Sequence, residues 1–450
     1  MLFSSFEFLF RFLPVFLVIY YLTPKKFRNV TLLGGSIVFY TIGEAGYITI
    51  LLACVLVNYT LTRLMYRKNT DGRGIRQKRL LLLALGYDLG VLFFFKYSGL
   101  ASGLPLGISF YTFQIMAYVI DVYRGRIPAE QSLLRLGTYL TMFPQLISGP
   151  ITNYADVRVA LGRERTIKAR QLEEGMKLLI IGLAAKVVIA DRIGTLWNSI
   201  RMIGFDSIST KLAWMGAFAY SLQLYFDFAG YSMMARGIGK MLGFELPVNF
   251  RYPYISKSVT EFWRRWHITL GRWFREYVYI PLGGNRKGTL RTVFNLLLVW
   301  AVTGFWHGGG LHFILWGMIL GLLVVIEKLW IGKWLKKSKI LSHVYVLFVI
   351  PLTWMVFAIP TLPEIGVYFA RLFPFFGVGS AVNPGDFAKE LTLFIPELVG
   401  GILLCIPQVY RWCEKHRKNV IVVAALFVVF WYSVYRMANA ANNPFMYANF

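Results

Sequence analysis

His307 lies in Val302-Thr303-Gly304-Phe305-Trp306-His307-Gly308-Gly309-Gly310, between apolar runs long enough to enter a bilayer. The chain has only 5 histidines in 450 residues. An ionisable ring among membrane spans is costly unless it has a partner or a task. Imidazole is also the side chain best suited to moving a proton near neutral pH. The three glycines after it lower helix propensity by roughly 1 kcal/mol each relative to alanine. A break in the backbone is therefore expected beside the ring, with room for a substrate to approach. His312 follows five residues later, about 140° away on a continuous helix, which is not the i,i+4 spacing of a metal-binding face. No cysteine or carboxylate nearby supplies further ligands, so no metal is expected. Proton abstraction from a hydroxyl suits this set of residues. A positioned general base accelerates such a step by roughly 10²–10⁴-fold. An acyl thioester, whose leaving group needs little help, would be the natural second reactant.

A second group precedes it. At 100° per residue, Phe262, Trp263, Trp266, Leu270, Trp273, Phe274 and Tyr277 share one arc, and Arg264, Arg265, Arg272 and Arg275 share the other. That pattern predicts one amphipathic helix lying in the membrane interface, with its aromatics at headgroup depth. His267 falls at the border of the faces. The helix should stop at Pro281, and Leu282-Gly283-Gly284-Asn285-Arg286 should turn. Arginine geometry suits phosphate better than lysine geometry does. Arg264 and Arg265 are thus candidate contacts for an anionic substrate, with Trp306, Asp227 and Asn285 as the other expected substrate contacts. Asp227 lies in the apolar segment Leu224–Phe228 and needs a partner, either an arginine of the insert or a histidine that it orients. Asp121 and Arg124 read as structural.

The elements that position these residues are membrane helices. The chain is 57% hydrophobic and 16% charged, whereas soluble domains are about 25% charged. Candidate spans are Met1–Leu22, Val30–Thr49, Ile50–Met65, Leu80–Phe95, Gly137–Ile151, Met176–Ala190, Leu212–Phe228, Thr292–Trp306, Leu311–Leu329, Val344–Pro360, Leu391–Pro407 and Val420–Tyr435. The expected class is an all-α polytopic membrane protein with about 11–13 membrane helices. A single integral-membrane domain, 1–450, should carry an interfacial insert at 243–291. The net charge of +26 collects in clusters such as Lys25–Arg28, Arg67–Arg79, Arg163–Arg170 and Arg264–Lys287. Basic loops between apolar runs mark the cytoplasmic side. Lys25–Arg28 therefore belongs inside and the N-terminus outside. The first apolar run lacks a basic n-region and a cleavage site, so it reads as a span and not a signal peptide.

Several functions find no support. No soluble basic module exists for nucleic acid. Cys54, Cys405 and Cys413 have no metal spacing and suggest no disulfide framework. Gly237-Ile238-Gly239-Lys240-Met241-Leu242-Gly243 misses the dinucleotide spacing by one residue, and there is no P-loop. Asn58-Tyr59-Thr60 matches a glycosylation sequon but lies in an apolar run.

The chain resembles the membrane-bound O-acyltransferases, within them the alginate O-acetyltransferase-like bacterial branch. The resemblance runs nearly end to end. It rests on Leu2-Phe3-Ser4-Ser5, Pro105–Gln114, Phe143-Pro144-Gln145 with Ser148-Gly149-Pro150-Ile151, and Tyr225–Ser232. It continues through Thr260–Leu270, Tyr279–Arg286, Phe305-Trp306-His307-Gly308 and Asn443–Tyr447. It implies a ring of tilted spans around a thin centre, with His307 as the catalytic histidine in a tunnel and His267 as a second, interfacial one. It implies transfer of an acyl group, usually acetyl, from a cytoplasmic thioester donor, acetyl-CoA or an acyl carrier protein. No bound cofactor is implied. The acceptor would be an extracytoplasmic polysaccharide or a partner acyltransferase of the SGNH/esterase-like kind, and the location a bacterial plasma membrane. Two positions depart from the pattern: Met233 stands where many relatives have an acid, and Leu320 marks where many have a further histidine. His312 occupies a position that is often Asn or Thr. Alternative readings are teichoic-acid D-alanyl transfer from a carrier protein and a lipid or polysaccharide transporter.

Overall fold

The computed structural model describes residues 1–66, 74–101, 103–376 and 379–439. Two expected features lie outside them: residues 67–73 of the Arg67–Arg79 basic cluster, and the terminal Asn443–Tyr447 motif. The described residues form helices and connecting turns, with no strand among them. Six helical stretches among them are long and apolar enough to cross a membrane, or seven if a helix pair bent by 75° counts as one span. One of the six, Lys25–Met65, holds the two helices Arg28–Glu44 and Ile48–Met65.

Leu212–Phe228 lies within one unbroken helix, Thr210–Met241, but other expected spans are interrupted. Gly137–Ile151, expected as one span, is broken. A helix Leu133–Thr141 ends at Met142, and a four-residue helix Phe143–Leu146 starts afresh with Pro144 in its first turn. Proline has no N–H to give a preceding turn, so it begins a helix far better than it continues one. Leu391–Pro407 is helical as far as Leu404 and bends at its end. The helix Asp386–Leu404 gives way to Pro407–Lys415, which is the 75° bend. The helix Ile108–Tyr123 is absent from the expected spans, yet it is buried on almost every side. Ser109, Thr112, Gln114 and Asp121 dilute its apolar signal.

The chain divides into two compact units. The first comprises Met1–Ile181 with Tyr231–Val248. Its core is aromatic: Phe143 meets Phe12 and Phe16 edge-on, with centroids 5.5 and 5.2 Å apart. Asn58 is fully buried there and donates to Asp88 at 2.7 Å, which leaves no accessible glycosylation sequon. The second unit comprises Gly182–Gly230 with Asn249–Asn443 and holds every candidate site residue.

Within the second unit the main scaffold is a helical hairpin, Gly288–His307 followed by Leu311–Ile326. Small residues let these two backbones touch. A Cβ on Gly317 would stand 2.4 Å from the carbonyl oxygen of Trp300, and one on Gly304 2.3 Å from that of Phe313. Neither obstacle is a side-chain tip that can swing aside. Gly317→Val should therefore force the helices apart, costing about 3 kcal/mol or more by overpacking. Gly366→Ala is the control, since nothing lies within 4 Å of its Cβ position. Thermal unfolding of purified protein should fall for the first and hold or rise slightly for the second. An unchanged Gly317→Val midpoint would contradict the close approach.

Candidate functional site

The hairpin puts His307 at a helix end. Gly288–His307 terminates on the imidazole residue itself, Gly308 is extended, and the next helix begins at Leu311. The expected break at Gly308–Gly310 is present. Its cause includes space as well as propensity. A Cβ on Gly308 would lie 2.5 Å from the Phe313 ring, and one on Gly310 would lie 2.5 Å from the His312 ring.

Aromatic rings enclose the His307 ring. Its side chain is buried, at 3% exposure. Trp316 and Phe357 meet it edge-on, with centroids 5.1 and 5.3 Å away and interplanar angles of 90° and 86°. Trp306 packs at 4.9 Å. These contacts fix the ring plane. His312 packs on Phe313 at 4.0 Å. Among the described residues no group of three or more His, Cys, Asp or Glu is arranged to hold a metal ion.

The 262–277 segment departs from expectation in two ways. It is not one helix. Val259–Arg265 and Ile268–Phe274 are separate, Trp266 is extended, and His267 is left-handed at φ 42°. Nor is its aromatic face open to surrounding lipid. Phe262, Trp266, Leu270, Trp273, Phe274 and Tyr277 are all buried in protein. Trp263 meets Trp300 at 4.9 Å and Trp316 at 5.6 Å, while Trp266 meets Trp354 at 4.9 Å. The aromatic periodicity was made for a tryptophan cluster around the His307 hairpin. Burying such large rings among each other is worth more than leaving them at a polar surface. Glu327, at the end of the second hairpin helix, anchors the segment. Its carboxylate accepts from the N–H groups of Val259 and Thr260 and from the Thr260 hydroxyl. A negative charge is favourable at that helix N-terminus.

His267 is likewise buried inside the protein, at 2% exposure. Asn249 governs it. Asn249 Oδ1 accepts from the Thr269 backbone N–H at 3.2 Å and from the Thr269 hydroxyl at 2.9 Å, and it lies 3.1 Å from His267 Nδ1. The backbone N–H can only donate, so the asparagine atom facing it must be oxygen. His267 Nδ1 then carries the proton, and Nε2 keeps its lone pair. Burial pushes the His267 pKa down to about 3, so the ring is neutral at physiological pH. The left-handed backbone of a non-glycine residue here costs on the order of 1–3 kcal/mol, held by the surrounding contacts. The ring meets Phe228 at 4.7 Å and Trp306 at 6.5 Å. Trp306 thus neighbours both histidines.

The depressed pKa has a measurable consequence. Between pH 6.5 and about 3 the unfolded chain binds a proton at this position and the folded chain does not. Folding stability then falls as pH drops through that window, by about 4–5 kcal/mol across it. Above pH 6.5 the residue adds no pH dependence. The thermal midpoint of the wild type should drop more steeply between pH 6.5 and 4 than that of His267→Gln. Parallel curves would count against the buried neutral ring.

The other expected contacts scatter. Asp227 is 1% exposed and pairs with Lys186 at 2.8 Å, not with an arginine of the insert. Lys186 also pairs with Asp191 at 2.5 Å. Asp227 is thus a held interior charge, and only its neighbour Phe228 reaches His267. Arg265 already spends its guanidinium on Glu261, at 2.8 Å, and on the Arg251 carbonyl, at 3.1 Å. Arg264 is exposed, and so is Asn285 in the turn after Pro281. Asp121 pairs with Arg126 at 3.2 Å, in keeping with a structural role. Lys186, Asn249 and Glu327 escaped sequence reasoning. Lys186 and Glu327 are single charges in or beside apolar runs, which was the one available signal.

Residues 37–360 match the membrane-bound O-acyltransferase family model. The chain is 40% identical over 351 residues to a probable alginate O-acetylase of Pseudomonas putida, covering 73% of this chain and 71% of that protein. It is 34% identical over 379 residues to a peptidoglycan O-acetyltransferase of Helicobacter pylori, covering 73% and 70%. It is 33% identical over 246 residues to a teichoic acid D-alanyltransferase of Bacillus subtilis, covering 52% and 61%. With a buried histidine at a broken membrane helix and this extent of similarity, the chain belongs to the membrane-bound O-acyltransferase family and is a multi-pass membrane acyltransferase.

Proposed function

We propose that this acyltransferase moves an acetyl group from a cytoplasmic thioester toward an extracytoplasmic polysaccharide, directly or through a partner acyltransferase, with His307 as general base. The observation that carries the reading is the His307 ring itself, fixed by aromatic edges at the last residue of a membrane helix. In the proposed step an acceptor hydroxyl oxygen attacks the thioester carbonyl carbon. The hydroxyl proton passes to an imidazole nitrogen of His307. The C–S bond breaks, and the departing thiolate takes that proton to leave as a thiol while the ester forms. The ring is positively charged in between, and the negative end of its own helix dipole lies beside that charge, a favourable interaction of about 0.3–1 kcal/mol. Trp306 packs against both the reacting histidine and His267. Exposed Arg264 remains the contact for an anionic donor group.

Acetyl is favoured over D-alanyl because the O-acetylating relatives align with 73% of this chain and the D-alanyl relative with 52%. Sidedness is the test. Inside-out vesicles carrying the protein and an acceptor polymer should convert labelled acetyl-CoA or acetylated carrier protein into base-labile ester. Right-side-out vesicles should not. Ester formation only in right-side-out vesicles contradicts a cytoplasmic donor.

A further inference from the structure

A cavity of about 730 Å³ opens in the first unit, far along the chain from His307 and built from other residues. Its lining includes Arg63, Tyr66, Glu130, Arg135, Tyr154 and Arg158. Arg63 ends the helix Ile48–Met65, Arg135 stands on Leu133–Thr141, and Arg158 stands on Tyr154–Gly162. Three separate elements thus bring an arginine each to the lining of one space. Basic residues that only set topology need neither a cavity nor a fixed geometry.

The position of Arg135 is fixed. Glu130 Oε1 accepts from Arg135 Nε at 2.9 Å and from Arg135 Nη2 at 2.6 Å. It also accepts from the Ser132 N–H at 2.8 Å. Its other oxygen accepts from the Tyr154 hydroxyl. Tyr118 OH takes the Glu130 N–H at 2.8 Å, and Tyr59 OH donates to the Gln131 carbonyl at 2.8 Å. Three tyrosine hydroxyls therefore tie down the loop that orients Arg135. Both Glu130 oxygens are occupied, so the carboxylate presents little to repel an anion. Glu130 sits below its usual pKa despite the opposing effect of burial, because hydrogen bonds from Tyr154, Ser132 and Arg135 favour its charged form. Arg63 and Arg158 are exposed. The side chains combine to a charge of +2, since three arginines face one glutamate.

We propose that this cavity binds a phosphoanion, either the headgroup of an anionic phospholipid or a soluble phosphate ester. Planar guanidinium forks match phosphate oxygens in a bidentate way. The volume suits a small ligand or a headgroup. The site stands independently of the acyl-transfer reading, because none of its residues belongs to the His307 site.

The test uses full-length protein in a neutral detergent and two probes. Pyrophosphate binding is read by thermal shift, and phosphatidylglycerol retention by native mass spectrometry, with phosphatidylcholine as reference. The double variant Arg63→Gln/Arg158→Gln and the single variant Arg158→Glu are compared with wild type. Both changed residues are exposed, and unliganded thermal midpoints check that the variants fold. Wild type should bind at least one probe, more weakly as salt rises, and the double variant should bind it about tenfold or more weakly. Loss in the pyrophosphate arm identifies a soluble ligand, loss in the phosphatidylglycerol arm a lipid, and loss in both a site open to either. Equal affinity in wild type and both variants, or no binding of either probe to wild type, overturns the proposal.

Discussion

Lys186→Met should lower stability by about 3–5 kcal/mol, the largest single loss expected in the molecule. The buried ammonium lies 2.5 Å from Asp191 and 2.8 Å from Asp227. Asp227 is almost fully enclosed. Removing the cation leaves two carboxylates facing each other, of which Asp227 has no route to water. A buried charge left without its partner costs far more than the intact pair contributes. The variant should therefore accumulate in membranes at a reduced level. Adding Asp227→Asn removes the orphaned charge and should recover at least half of the lost stability. Urea or thermal unfolding of the purified proteins reads both effects. A Lys186→Met protein within 1 kcal/mol of wild type would show that the triad is not a held interior charge cluster.

His307→Ala should act on rate far more than on folding. The ring's enclosure by Trp306, Trp316, Phe313 and Phe357 means that truncation leaves a void, so some stability is lost as well. His307→Gln is the cleaner variant, since it keeps volume and hydrogen bonding but cannot carry a proton at neutral pH. Both should reduce acyl transfer by about 10²–10⁴-fold, the contribution of a positioned general base. The His307→Gln thermal midpoint should stay near that of wild type. His267→Gln should do less to the rate, because a neutral ring of pKa about 3 does not shuttle protons at pH 7. Ester content of the acceptor polymer in cells carrying each variant, corrected for protein level, separates these outcomes. Equal losses at the two histidines would mean that they act as one unit.

Much of this could be seen in the residues, and the limits have physical causes. The break after His307 was legible because three consecutive glycines carry both low helix propensity and no Cβ. The aromatic arc of 262–277 was legible as a pattern but not as a destination. Periodicity reports that one side is apolar, and it cannot say whether lipid or tryptophan covers it. The kink at His267 was illegible, since neither glycine nor proline marks it. It is imposed by Asn249, 18 residues earlier, which binds the histidine ring, Thr269 and, through its carbonyl, the Ile268 N–H at 2.9 Å. Asp227 announced its need for a partner, but the answer was a lysine 41 positions earlier on a π-helical turn, Ala185–Ala190. Long-range pairing of this kind leaves no local trace. The broken span at Gly137–Ile151 was marked by Pro144, whose effect on the preceding turn outweighs the run's hydropathy.

The central claim is that acyl transfer runs through the His307 imidazole. Single-turnover transfer from a labelled acetyl thioester, followed with purified wild-type and His307→Gln protein in proteoliposomes, tests it most directly. The account predicts ester formation by wild type and a rate lower by about a hundredfold or more for the variant, with donor binding retained. A His307→Gln rate within twofold of wild type would contradict it.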